Sequence, residues 1–232
     1  RHLLAAGATL VYGGDLRANG FTELLFQLAA RHAIAPREPV VINPLPWPVH
    51  CTMYWSELEA KAQAAAPVAR IEPLARDGSV MLPALRAILP GHTPNKDEWK
   101  IGLTAMRQAV AARVDAYVLL GGQVDMTKIK GRMPGIAEEA LEAIKAGRPV
   151  YLAGGFGGCA RDVIEILGVA PAYPLSHAAE WGAAALFSHR SSKDLNAGLD
   201  PKELERLAVT ANVDEMVALV LRGLQQLGVP AN

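Results

Sequence analysis

DAYVLLGGQVDMTKIKGRMPGIAEEALEAIKAGRPVYLAGGFGGCARDVIEILG, residues 115–168, decides the fold of this chain. DAYVLLGG (115–122) is an apolar run too short for a helix, and it ends in paired glycines, so it reads as a buried strand. GIAEEALEAIKAG (135–147) has helical apolar spacing and a closing glycine. The unit then repeats. RPVYLAGG (148–155) is a second strand ending in Gly-Gly, and FGGCARDVIEILG (156–168) a second helix. Strands separated by helices of this length require right-handed crossovers, and so a parallel sheet covered by helices.

Outward from that unit, ATLVYGG (8–14) predicts a strand and FTELLFQLAARH (21–32) a helix, with Phe21, Leu24, Leu25, Leu28 and His32 on one face. PVVINPLP (39–46) reads as a buried strand broken by prolines. Between 47 and 95, WPVHCTMYWSE reads as extended, LEAKAQAAA as helical, ARIEPLA as a strand and GHTPNKD as a loop; EWKIGLTAMRQAVAARV then has helical spacing. The opening RHLLAAG reads as the last turns of a helix closed by Gly7, with the strand after it expected to flank a position that another strand fills.

Beyond residue 190 the chain is polar and then helical. DPKELERLAV offers Asp200 as N-cap, Pro201 at the first helical position and Glu203 completing a capping box; NVDEMVALVLRGLQQLG repeats the device with Asn212 and Glu215. The expected fold class is α/β: a doubly wound, Rossmann-like parallel sheet with helices on both faces over residues 1–190, and a C-terminal helical pair over 191–232 packed on it. The apolar stripes Leu204, Leu207, Ala208 and Met216, Val217, Val220, Leu224 predict self-association, the alternative being that they close the second face of the sheet.

Composition narrows the function classes. The 232 residues are 51% hydrophobic and carry 23 basic and 23 acidic side chains, so a large core is available and there is no general attraction to polyanions. Nucleic acid is therefore not an expected partner. No stretch approaches the ~18 to 20 apolar residues of a membrane helix, so no membrane partner is expected either. Cys51 and Cys159 are too few for a disulfide framework or a four-ligand metal site, which favours the reducing cytoplasm. The six histidines show no paired metal spacing, and neither a metal nor a resident cofactor is expected.

The glycine pairs 13/14, 121/122 and 154/155 each close a strand, and the carboxyl ends of parallel strands are where ligands bind in such sheets. Glycine lets backbone N–H groups approach a phosphate, the helix N-terminus that follows adds partial positive charge, and Arg17 is placed either to grip a phosphate or carboxylate or to pair with Asp15. GFGGCA, with Gly155, Phe156, Gly157 and Ala160, fits a dinucleotide pattern but lacks the acidic residue about 20 positions on. KGRMPGIAEEAL (130–141) puts Arg132 and Gly135 before a helix whose first turn holds Glu138 and Glu139. Those carboxylates either complement the helix dipole, hydrogen-bond ribose hydroxyls, or assist N-glycosidic cleavage. Trp47, Tyr54, Trp55 and Trp99 are candidates for stacking on a base or for the core. Cys159, at a helix N-terminus, reads as a small packing residue.

LVYGGDLRANGFTELL, VLLGG with KGRMPGIAEEAL, and PVYLAGGFGGCARDVIE, across about residues 8–168, resemble the SLOG superfamily, Rossmann-like domains related to the LOG cytokinin-activating enzymes, the DNA-processing protein DprA and the TRPM-channel sensor region. The resemblance is strongest to prokaryotic SLOG domains of TIR- or sirtuin-type anti-phage effectors. It implies a sensor that binds a nucleotide-derived signal, ADP-ribose or a cyclic ADP-ribose-like molecule, and regulates a fused or associated effector, with a homo-oligomer expected. Carried over, it assigns ligand contacts to Gly13, Gly14, Arg17, Gly20 and Phe21, and to Gly135, Glu138 and Glu139 of the loop that reads PGGxGTxxEE in the LOG enzymes. The proline and paired glycines that open that loop are Gly131, Arg132 and Met133 here, which departs from the LOG hydrolases. Together with Gly121, Gly122, Arg132, Gly154, Gly155, Phe156 and Gly157 these form the expected binding set. No catalytic residue is expected in the sensor. The alternative is a LOG-like nucleotide N-glycosidase (phosphoribohydrolase) or deoxyribosyltransferase-like enzyme using Glu138 or Glu139.

Overall fold

The computed structural model describes residues 1–32, 39–81, 92–171 and 176–229. It is a mixed α/β protein whose strands form two parallel sheets, of three strands and of two, where the sequence predicts one. The chain divides into two compact units, Arg1–Val110 and Ala111–Pro230.

The first unit begins with α1 (His2–Ala5), after which Gly7 takes a left-handed φ of 83° that suits glycine. There follow β1 (Leu10–Val11), α2 (Phe21–His32), β2 (Val41–Leu45), α3 (Trp47–His50), α4 (Trp55–Ala65), β3 (Ala69–Pro73) and α5 (Lys96–Arg113), whose last turn contains the unit boundary. The sheet order is β1-β2-β3, with Leu10 opposite Val41 and Ile42 opposite Arg70, and β1 is an edge strand. Pro44 lacks a ladder donor, yet it is tolerated in the middle strand because β1 pairs with β2 only at Val41 and Ile42, leaving Pro44 paired to β3 alone.

Two local expectations fail here. Trp47–His50 is a helical turn rather than extended chain, since Pro46 occupies its N-cap and Pro48 is preset for a first turn. The buried side of α2 is Thr22 and Ala29, with Leu25 and Phe26 partly buried, whereas Phe21, Leu24 and Leu28 are exposed. The small residues Thr22 and Ala29, seven apart and so on one face, allow the helix to lie close. The core of this unit gathers Leu4, Ala29, Val41, Leu45, Leu58, Ala65, Ala69 and Ile71. The expected loop GHTPNKD falls partly outside the described residues.

The second unit contains β4 (Tyr117–Leu120), α6 (Gly135–Lys145), β5 (Val150–Ala153), α7 (Gly158–Ile166), α8 (Pro201–Val209) and α9 (Val213–Gln226). Tyr117 to Leu120 pair in parallel with Val150 to Ala153, the arrangement a β-α-β crossover requires. All four β5 side chains are buried, because α7 and α8 both pack on that strand. On β4 burial alternates: Tyr117 and Leu119 are inside, Val118 and Leu120 outside.

Asp200 and Glu203 form the full capping box of α8. At α9, Asn212 accepts from the N–H groups of Asp214 and Glu215, but the Glu215 carboxylate turns instead to Arg206 and Thr210, so this box is half formed. Arg206 and Thr210 hold the Glu215 carboxyl below its ordinary value. Leu207, Ala208, Met216 and Val220 are buried and Leu204, Val217 and Leu224 half-buried, so these stripes are largely used within the chain. Among the described residues, no helix is long and apolar enough to cross a membrane.

Candidate functional site

In the second unit the chain leaving β4 and the chain leaving β5 interlock through their backbones. Gly121 and Gly122 have φ of 60° and 97°, and Gly157 and Gly158 of 71° and 68°, all in the left-handed region where a side chain is strained. Ala160 N–H donates to the Gly121 carbonyl at 2.8 Å and Cys159 N–H to the Gly122 carbonyl at 3.3 Å. The α7 N-terminus, expected to face a phosphate, thus directs two of its first donors at these carbonyls.

The five glycines expected here from sequence separate by cause. A Cβ on Gly155 would strike the Thr210 backbone, and one on Gly154 the Ile164 side chain and the Ala208 carbonyl, so this pair admits the α8–α9 connection. A Cβ on Gly122 would meet Ile136 at 2.6 Å and Cys159 at 3.1 Å. Gly121 and Gly157 face open space. Beside them Phe156 is exposed at 52%. Gly121, Gly157 and Phe156 form the open part of this loop pair.

The α6 N-terminus has Pro134 as N-cap with no side-chain cap, and Gly135 as its first residue. One turn on, Glu138 is fully buried and Glu142 nearly so, on the same helix face at i and i+4. Arg132, from the preceding loop, forms ion pairs with both, and Lys145 reaches Glu142 at 3.0 Å. Arg132 is thereby committed to two internal carboxylates; its side chain is 29% exposed. Glu139 is half-buried. In the loop before it, Asp125 caps a 3-10 turn, and the Thr127 and Lys128 contacts push its carboxyl down to about 2.

The first unit carries the third glycine pair. A Cβ on Gly13 would press on Met106 of α5 and one on Gly14 would collide with the Thr22 hydroxyl and the Tyr12 ring, although Gly13 itself is exposed and Gly14 half-buried. Arg17 is exposed at 83% and its Nε pairs with Asp15 at 2.7 Å. Asn19, at φ 57°, donates its N–H to Glu23, and Gly20 N–H closes a turn on the Arg17 carbonyl. Phe21 is exposed and its ring lies 5.2 Å from that of Tyr12.

Two residues of this unit escaped sequence reasoning. Asn43 is fully buried on β2 and donates to the carbonyls of Tyr12 and Gly14, and Arg107 is buried on α5 next to Met106. A lone Asn in an apolar strand and an Arg in a helical run give no signal in sequence until the strands are paired. Of the aromatic candidates, Tyr54 is exposed and Trp47 buried. Trp47 is stacked by the chain's own groups, Arg76 at 4.0 Å and His92 at 5.3 Å. Glu98 holds both at 2.8 Å and its carboxyl lies below the ordinary value, chiefly through His92. Among the described residues no group of three His, Cys, Asp or Glu side chains is placed to hold a metal.

A family model described as SLOG cluster2 matches residues 1–219. The chain belongs to the SLOG family. Neither a curated protein nor a solved structure matches it. SLOG membership points to a nucleotide-related domain.

Proposed function

We propose that this SLOG domain is a sensor that binds a nucleotide-derived ligand bearing phosphate and ribose, of the ADP-ribose or cyclic ADP-ribose kind, and regulates a fused or associated effector in anti-phage defence. The doubly wound, Rossmann-like organisation, a cytoplasmic location and a homo-oligomeric state belong to the same proposal. The observation that carries it is the pair Gly121 and Gly157: both are left-handed, both follow parallel strands, and both have open space where any other residue would place a side chain. Backbone can approach a phosphate closely at such positions. Gly135 and the uncapped α6 N-terminus add partial positive charge, and Phe156 offers an exposed ring for a base. In the first unit, Arg17 is an exposed cation on the glycine loop that follows β1, and that loop is a second place for an anionic group.

The burial of Glu138 leaves the cleavage alternative to Glu139, which is half-buried. A carboxylate assisting N-glycosidic cleavage must reach the reacting carbon, and Glu138 is fully buried and paired with Arg132.

Calorimetry with ADP-ribose, its cyclic isomers and nucleoside monophosphates tests the reading, with chromatography of each mixture for free base. Saturable binding without base release is expected. A charge-assisted contact contributes ~1.5 to 3 kcal/mol, so Arg17→Ala is expected to weaken binding about 10- to 150-fold. Release of base would establish the hydrolase instead, and equal affinities would show that Arg17 holds its own loop alone.

A further inference from the structure

Asn43 is wholly buried in β2, opposite Ile71 of β3, and its side chain reaches over the end of β1. There its carboxamide nitrogen donates to two main-chain carbonyls, Tyr12 at 2.6 Å and Gly14 at 3.0 Å. Two carbonyl acceptors can be met by the NH2 end alone, which fixes the orientation of the amide. The consequence is an unmatched acceptor: among the described residues Asn43 Oδ1 has no hydrogen-bond partner although it is buried. The residue is therefore used for its two donors, at the expense of an orphaned oxygen.

Those donors act where the ladder stops. Leu10 N–H and Tyr12 N–H still donate to Val40 and Ile42 carbonyls of the β2 segment, but beyond Tyr12 the Asn43 side chain stands in for the neighbouring strand. All peptide bonds here are trans, and a planar trans peptide points its C=O and N–H in opposite directions. With the Tyr12 and Gly14 carbonyls turned toward Asn43, the N–H groups of Gly13 and Asp15 are turned away from β2. Glycine would otherwise let these peptides flip and present oxygen in place of N–H.

We propose that Asn43 is the positioning residue of the Gly13–Gly20 loop: by holding two carbonyls inward it aims the N–H groups of Gly13 and Asp15 outward as a paired donor set for an anionic group, phosphate or carboxylate, beside Arg17. The assignment of an anion to this loop rests on the ligand-binding reading above. The clamp itself does not.

The test compares the wild-type chain with Asn43→Leu, which removes donors and acceptor together, and with Asn43→Asp, which keeps the shape and removes the donors. Hydrogen exchange is expected to rise at least tenfold at the Tyr12 N–H, which donates to Ile42, in both variants and to stay unchanged in β3 and α4. ADP-ribose affinity by calorimetry is expected to fall at least tenfold, with helical circular dichroism retained. Exchange that does not change at the Tyr12 N–H, or that rises uniformly along the chain, overturns the proposal. Should neither variant fold, the wild type decides by nuclear magnetic resonance: slow exchange of the Asn43 side-chain amide protons supports the clamp and solvent-rate exchange overturns it. If wild type binds no nucleotide probe while the loop loosens in the variants, the ligand reading fails and the clamp stands.

Discussion

The glycine pair of the first unit and those of the second follow strands in the same way in sequence, yet they are fixed by different matter. At Gly13 and Gly14 the space for a Cβ is taken by side chains, Met106 at one and Tyr12 and Thr22 at the other, and a buried amide, Asn43, holds the adjoining carbonyls. In the second unit backbone meets backbone: Gly121 and Gly122 cap α7 with their carbonyls, and Gly155 lies against Thr210. The arginines diverge likewise. Arg17 stands in solvent beside Asp15, whereas Arg132 neutralises two buried glutamates. A Gly-Gly pair after a strand is thus a statement about available space, and what occupies that space is decided by residues far along the chain.

The arginines give the largest expected contrast. Arg132→Ala removes the cation that pairs with both buried glutamates, Glu138 and Glu142, and loss of one partner of a buried pair costs about 3 kcal/mol. Arg17→Ala is expected to change stability by less than ~0.5 kcal/mol, as exposed cations do. Urea denaturation of both variants checks this, and equal losses would remove the distinction between the two loops.

The glycines give the next. Gly155→Ala drives a Cβ into the rigid Thr210 backbone and is expected to cost at least ~2 kcal/mol. Gly14→Ala meets side chains that can turn aside, so about 1 to 2 kcal/mol is expected. Gly121→Ala has room, leaving only the backbone penalty of a positive φ, about 1 kcal/mol. Thermal denaturation that ranks Gly121 above Gly155 would break the assignment of packing to one and openness to the other.

The smallest effect is one of pH. Asp125 lies in the folded state at about 2 against an ordinary 3.8, held down by Thr127 and Lys128. A depressed carboxyl contributes stability that is fully present above 3.8 and is lost as pH falls through about 2. Asp125→Asn is therefore expected to flatten the stability profile slightly between pH 4 and 2 and to leave it unaltered near pH 7. The second-unit loop would thus be acid-sensitive where the Asp125 turn precedes it, and an unchanged slope would show that turn to be unimportant to stability.

The unit 115–168 determined its own structure from sequence alone: both strands, both helices and their parallel pairing follow from apolar runs, glycine stops and helical spacing that act over a few residues. Asp200 with Glu203 was legible for the same reason, a capping box being closed within one turn. What tertiary structure decided lies where the partner is remote. The buried face of α2 depends on what it packs against, so Thr22 and Ala29 displaced the larger Phe21 and Leu28. Glu215 abandoned its cap for Arg206, nine residues back. Gly121 and Gly155 are indistinguishable as letters; Thr210, 55 positions beyond Gly155, fills the space over one, and the space over the other stays open. Asn43 reads as one polar residue in an apolar strand until β1 is laid beside β2 and two carbonyls come within reach of its amide. Local periodicity encodes elements because their hydrogen bonds close locally, whereas side-chain burial and the use of a loop are set by atoms that the chain brings together only on folding.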